Sequence, residues 1–161
     1  MTGSAEFTLS ITRILDAPRP VVWRCWSEEA LLKQWFCPKP WTVPEADMDV
    51  RPGGRMNVVM AGPNGERMEN VGCFLDVVPQ ERLVFTDGYA EGFMPRAEPF
   101  MTGVVALSDA EGGRTKMIWS ARHATAEARQ AHLDMGYEQG WNAAADQLDA
   151  LAQSLVAKAE N

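Results

Sequence analysis

The sequence predicts an α+β domain, in which one strand and two short helices precede an antiparallel run of strands that a long amphipathic helix closes. Three patterns carry that expectation. Phe7, Leu9 and Ile11 alternate with Thr8, Ser10 and Thr12, the period of a half-buried strand. From Ala46 to Ala121 the same alternation recurs between glycine- and proline-rich turns, and the links are too short for crossover helices, so the strands must pair antiparallel. From Thr125 the period lengthens: Leu133, Tyr137, Trp141, Ala144, Leu148, Leu151 and Leu155 recur at helical spacing as one apolar stripe.

Each element has its own local cause. Asp16-Ala17-Pro18 ends the first strand near Leu15, and Pro18 and Pro20 suit the first turn of a helix, where a missing N–H costs nothing. Val22, Trp23 and Trp26 give that helix its apolar neighbours. Ser27 before Glu28 and Glu29 reads as a cap starting a second short helix through Leu31, Leu32 and Trp35, which Pro38 and Pro40 terminate. Ala46, Met48 and Val50 then form a strand, and Arg51-Pro52-Gly53-Gly54 turns the chain into Met56, Val58 and Met60. Gly62-Pro63-Asn64-Gly65 is a further hairpin signal, leading to Val71, Cys73, Leu75 and Val77 on one strand face. Pro79-Gln80-Glu81-Arg82 turns into Leu83-Val84-Phe85, and residues 87–99 read as a loop. Met101, Gly103, Val105 and Leu107 form the next strand; after Glu111-Gly112-Gly113, Thr115, Met117, Trp119 and Ala121 face inward on the last one. Thr125 suits a helix cap, while Gly136 and Gly140 predict a break or kink, leaving a firm helix over 137–156.

Composition narrows the function classes. The 161 residues make one domain large enough to hide roughly 70% of its unfolded surface, so neither a disulfide nor a metal is needed to hold it. With 22 acidic against 15 basic residues the net charge is −7, and no basic patch for nucleic acid is visible. No apolar run exceeds the four residues Val58–Ala61, so no membrane span is expected, and Met1–Glu6 lacks the basic and apolar regions of a signal peptide. Cys25, Cys37 and Cys73 are odd in number and contain no CxxC pair, which fits reduced thiols in the cytoplasm. With two histidines the chain reaches no recognisable metal spacing, and no cofactor is expected.

An ordered set of short motifs supports a family resemblance. Ala17-Pro18 with Val22-Trp23, Trp35-Phe36 with Pro38, Asp49-Val50-Arg51-Pro52-Gly53-Gly54, Pro79 through Phe85, and Gly140-Trp141 with Leu148 and Leu151 follow the order seen in the START-like SRPBCC superfamily. The resemblance runs from about residue 7 to 156 and is strongest to the branch similar to the C-terminal domain of activators of Hsp90 ATPase. It implies a helix-grip (START/Bet v 1-like) fold, a curved antiparallel sheet wrapped around the C-terminal helix with a hydrophobic pocket between them. The same fold hosts carriers, cyclases, hydrolases and co-chaperone domains, so it does not decide function. Full-length activators resembling this domain carry an additional N-terminal domain; here the fold is expected to begin within the first ten residues, which favours a stand-alone binding domain.

Strand parity puts Met48, Met56, Val58, Phe85, Met117 and Trp119 on inner faces opposite Tyr137 and Trp141. With Trp35 they are the candidate ligand-binding residues. Any one of them is explained by core packing, but a methionine-rich inner wall adapts well to variable apolar ligands. Polar candidates near a pocket mouth are Arg13, Glu69, Tyr89 and His123. Arg13 breaks the inward parity of its strand, through a bulge or frayed end, or else paired with a carboxylate such as Glu69 or with an acidic ligand. His123 shares parity with Trp119, and an imidazole is a residue type suited to a general base or hydrogen-bonding group. His132 reads as a surface helix residue. Cys37, beside Pro38 and Lys39, is read as packing at a helix end, since no base that would activate it is identifiable; Cys25 and Cys73 are core. Asp49, Arg51 and the following glycines read as a charged hairpin and not as a phosphate loop. Residues 125–161 carry six acids and two bases, a negative outer face.

No catalytic residue is identified. The expectation is a cofactor-independent protein binding a small hydrophobic molecule, aromatic or lipid-like, between sheet and helix. The alternatives are an Hsp90-type chaperone partner and an enzyme of cyclase or hydrolase type using the same pocket. A homodimer through an exposed sheet edge or the helix is compatible with the sequence, which does not choose between them.

Overall fold

A computed structural model describes residues 7–160. Met1–Glu6, read above as lacking signal-peptide character, lies outside them. Strand β1 (Thr8–Leu15) leads into α1 (Arg19–Ser27) and α2 (Glu29–Leu32). There follow β2 (Thr42–Met48), β3 (Met56–Ala61), β4 (Arg67–Asn70), β5 (Cys73–Val78), β6 (Arg82–Thr86), a short β7 (Tyr89–Ala90) and β8 (Met94–Pro95), β9 (Thr102–Ala110) and β10 (Arg114–Arg122). Helices α3 (Ala126–Asp134) and α4 (Tyr137–Glu160) complete the chain.

The strands pair antiparallel throughout, in the order β1-β10-β9-β6-β5 for one sheet and β2-β3-β4 for another. The two are stitched where the β2–β3 turn meets β5: Gly53 N donates to the Phe74 carbonyl at 2.8 Å and Phe74 N to the Gly54 carbonyl at 2.9 Å. Gly53 takes φ +81°, a conformation glycine adopts without a Cβ penalty. A Cβ on Gly54 would stand 1.9 Å from the Asp49 carbonyl oxygen, so the second glycine is required by close approach. The resulting curved sheet grips α4, as the helix-grip expectation requires.

Polar contacts fix the helix in the grip from both sides. From β1, Arg13 donates to the Asn142 carbonyl at 3.0 Å and pairs with Asp146, and just past the strand the Asp16 amide donates to Asp149 at 2.8 Å. From the segment after α2, Gln147 Nε2 donates to the Trp35 and Cys37 carbonyls at 2.9 and 2.7 Å, while Lys39 N donates to Gln147 Oε1. β1 stays in regular register with β10 from Thr8 to Leu15, so Arg13 does point inward, without a bulge. Its carboxylate is Asp146 and not Glu69, because α4 lies over the end of β1 whereas β4 sits in the other sheet.

Several local expectations are corrected. Ser27 caps nothing: its hydroxyl donates back to the Trp23 carbonyl at 2.8 Å, and Trp35 lies in the turns just beyond α2. The Val71–Val77 face is interrupted by a register shift between Phe74 and Asp76, which buries Phe74 completely beside Cys73. Residues 87–99 hold the β7–β8 hairpin within the loop. Arg55, bonded to Asp47 and Glu91 at 2.8 and 3.0 Å, ties this hairpin to the β2–β3 turn. Thr125 does cap α3, accepting from Ala128 N at 3.1 Å, and the helical break falls at Gly136, where φ is +89°.

Candidate functional site

The deep half of the grip is occupied by aromatic rings. Trp26 and Trp35, both fully buried, meet edge to face at 4.6 Å, and Trp26 meets Trp119 in the same way at 5.0 Å. Trp35 Nε1 donates to the Cys25 carbonyl at 2.9 Å, which locks its indole in place. Trp119 from β10 then stacks on Trp141 from α4, with centroids 4.1 Å apart and planes at 27°. This aromatic plug joins sheet, α1 and α4.

Beyond the plug lies a cavity of about 330 Å³. Its walls are Phe36, Phe85, Trp119 and Trp141 together with Met56, Met60, Met68, Met101 and Met135, so five methionines face one space. Met68 and Met135 are 49% and 68% exposed, which makes the mouth an apolar rim open to solvent. The size and the apolar lining suit a small organic ligand.

The polar groups on this wall are few. Asp87 Oδ1 accepts from the Phe100 and Met101 amides at 2.8 and 3.1 Å, placing Phe100 against the His132 ring at 5.0 Å. Thr86 Oγ1 is satisfied by bonds with the Met101 carbonyl and the Gly88 amide. Asn70 lies on the exposed part of the wall, and His132 is the fourth; it corrects the expectation of a surface residue, being only 7% exposed. The reason is that the break at Gly136 separates α3 from α4, so the face of α3 cannot be extrapolated from the stripe of α4. His132 Nδ1 lies 2.9 Å from His123 Nε2, and His123 Nδ1 lies 2.7 Å from the Phe7 carbonyl. Burial, with His123 alongside, pulls the His132 pKa down to about 4, so the ring is neutral near pH 7.

The candidate residues divide accordingly. Met56, Val58, Phe85, Trp119 and Trp141 line the cavity. Trp35, Met48, Met117 and Tyr137 are buried in the core behind it, and the Tyr137 hydroxyl donates to the Trp119 carbonyl at 3.4 Å. Of the polar candidates none reaches the wall directly. Arg13 is engaged by α4, His123 stands behind His132, and Tyr89 packs on Phe93 in the β7–β8 hairpin. Glu69 lines a separate, more open and more polar depression of about 480 Å³ over β2, β3 and β4. Sequence reasoning missed Phe36, Met60, Met68, Phe100, Met101, Met135 and His132. Met60 shares the parity of the candidates Met56 and Val58, and Met101 that of the inward strand residues Val105 and Leu107; His132 reads from the sequence as a surface helix residue, and Met135 carries no signal there.

The cysteines offer no nucleophile. Burial pushes the Cys25 thiol up to about 12 and Cys37, which touches the cavity, up to about 11, so both stay protonated. Among the described residues no cluster of three or more His, Cys, Asp or Glu side chains could hold a metal, and no helix is long and apolar enough to cross a membrane.

Residues 16–153 match the family model described as "Activator of Hsp90 ATPase homolog 1-like protein". Protein NE0264 from Nitrosomonas europaea is similar to the chain at 37% identity, covering 95% of this chain and 98% of its own, with a TM-score of 0.91. Protein Ms6760 from Mycobacterium smegmatis is similar at 30% identity over 94% of this chain and 93% of its own, with a TM-score of 0.77. A protein from Arthrobacter aurescens is 26% identical over 94% of this chain and 88% of its own, again at a TM-score of 0.77. No curated protein matches the chain.

Proposed function

The chain belongs to the family of activator of Hsp90 ATPase homolog 1-like proteins, and we propose that it acts as a binding protein for a small, mostly apolar molecule held between the sheet and α4. The observation that carries this reading is the open, methionine-walled cavity of about 330 Å³ beside the stacked Trp119–Trp141 pair. Unbranched, polarizable methionines can repack around ligands of different outline. The aromatic plug supplies the rigid floor against which a flat molecule would lie. Naphthalene-sized aromatic probes are expected to change tryptophan emission and to raise the melting temperature in proportion to their affinity. A broad apolar panel that moves neither quantity would overturn the reading.

A second reading is favoured by the family match alone: contact with an Hsp90-type chaperone. It predicts co-purification with the chaperone and stimulation of its ATPase at micromolar concentrations of this protein. No stimulation there would remove it.

A further inference from the structure

We infer that His132 is the polar anchor of the cavity, a fixed hydrogen-bond acceptor that selects neutral ligands bearing an alcohol or phenol hydroxyl. The inference rests on the cavity reading above and adds the chemical class that the cavity would take. It begins at a group whose role is not adjustable. The Phe7 carbonyl can only accept, so His123 must carry a proton on Nδ1 to bond it at 2.7 Å. When that is the one proton His123 carries, its Nε2 is a lone pair. His132 Nδ1, 2.9 Å away, must in turn be the donor. Its one proton is thereby committed to Nδ1, and Nε2 is left as an acceptor.

His132 lines the cavity, and among the described residues nothing bonds its Nε2. Nor is that atom among the side-chain nitrogens sealed from solvent without a partner. Neither bonded nor sealed, this lone pair is the polar side-chain atom that His132 has left to offer the cavity it lines. Phe100 and Tyr137, edge to face on the ring at 5.0 and 4.9 Å, hold its plane. The low pKa agrees with an acceptor and not a cation. An anionic head would set its charge against this lone pair and against Asp87 on the same wall. A bare hydrocarbon would leave the acceptor dry and unmatched. A hydroxyl donates where the wall accepts, while the rest of the molecule meets methionine and tryptophan.

The test uses 2-naphthol and the similarly shaped 2-fluoronaphthalene, which cannot donate, with the full chain at neutral pH and tryptophan emission as the readout. The wild type should bind 2-naphthol about three- to tenfold more tightly, the worth of one neutral hydrogen bond. His132→Leu should erase that preference and keep the affinity for 2-fluoronaphthalene. Should that variant fail to fold, His132→Gln keeps a donor available to His123. A variant-free readout is the nitrogen spectrum of the histidines: the Nδ1–H form of His132 is expected, with its Nε2 resonance shifting on addition of 2-naphthol and not of 2-fluoronaphthalene. Equal affinities with an unmoved Nε2, or a His132 protonated on Nε2, would overturn the inference while leaving the cavity reading standing. Binding of neither probe would take away both.

Discussion

At the scale of single residues, His132 shows how burial decides chemistry. Its ring is enclosed by His123, Phe100, Tyr137 and Trp141, so its folded pKa is about 4 against an unfolded value of 6.5. Between those values the unfolded chain binds a proton that the folded chain refuses. The stabilisation is therefore complete above about pH 6.5 and is lost as the pH falls toward 4, by roughly 3 kcal/mol at most. Urea unfolding of the wild type should show this acid sensitivity, and His132→Leu should show a shallower dependence over the same window. Parallel pH profiles for the two proteins would contradict the assignment. None of this was legible in the sequence, where one histidine among polar helical residues looks solvated. Arg13 was half legible: parity placed it inward, but the partner, Asp146, lies 133 residues away on a helix whose docking angle no local pattern encodes.

The elements were legible where period and turn chemistry agree, and obscure where a single residue resets the phase. β9 and β10 appear as read because Gly103 to Leu107 and Thr115 to Ala121 alternate without interruption. β5 does not, because its register shift turns Phe74 inward next to Cys73. The same kind of reset separates α3 from α4, and the sequence left it shared between two glycines. The structure assigns it to Gly136, whose φ of +89° disfavours any side chain, whereas Gly140 is helical and a Cβ there would come no nearer than 4.0 Å to Pro38 Cγ. Gly136→Ala should therefore destabilise by about 1–3 kcal/mol, while Gly140→Ala should stabilise by about 0.4–1 kcal/mol through a less flexible unfolded chain and better helix propensity. Denaturant midpoints of the two variants should move in opposite directions. Movement in the same direction would place the break elsewhere.

At the scale of the whole molecule, the grip is divided between plug and cavity, and this division is what inward parity could not reveal. Trp35 and Trp119 both face the interior, yet Trp35 is fully buried with its Nε1 bonded to the Cys25 carbonyl, while Trp119 presents one side to the cavity. Whether an inward side chain is filler or wall depends on how far its neighbours interdigitate, a property of the assembled layers. Trp35 nevertheless sits 5.5 Å from Phe36 and 5.8 Å from Trp119, both of them cavity walls. Trp35→Leu should therefore do two things together. It should cost about 3–5 kcal/mol, as large-to-small changes of buried aromatics do. It should also extend the cavity into the space the indole leaves, so that an anthracene-sized probe too long for the wild type binds the variant and restores part of its lost melting temperature. A variant that is destabilised but gains no affinity for the longer probe would show that the plug collapses on itself, and that the depth of the cavity is set by the sheet and not by the tryptophans.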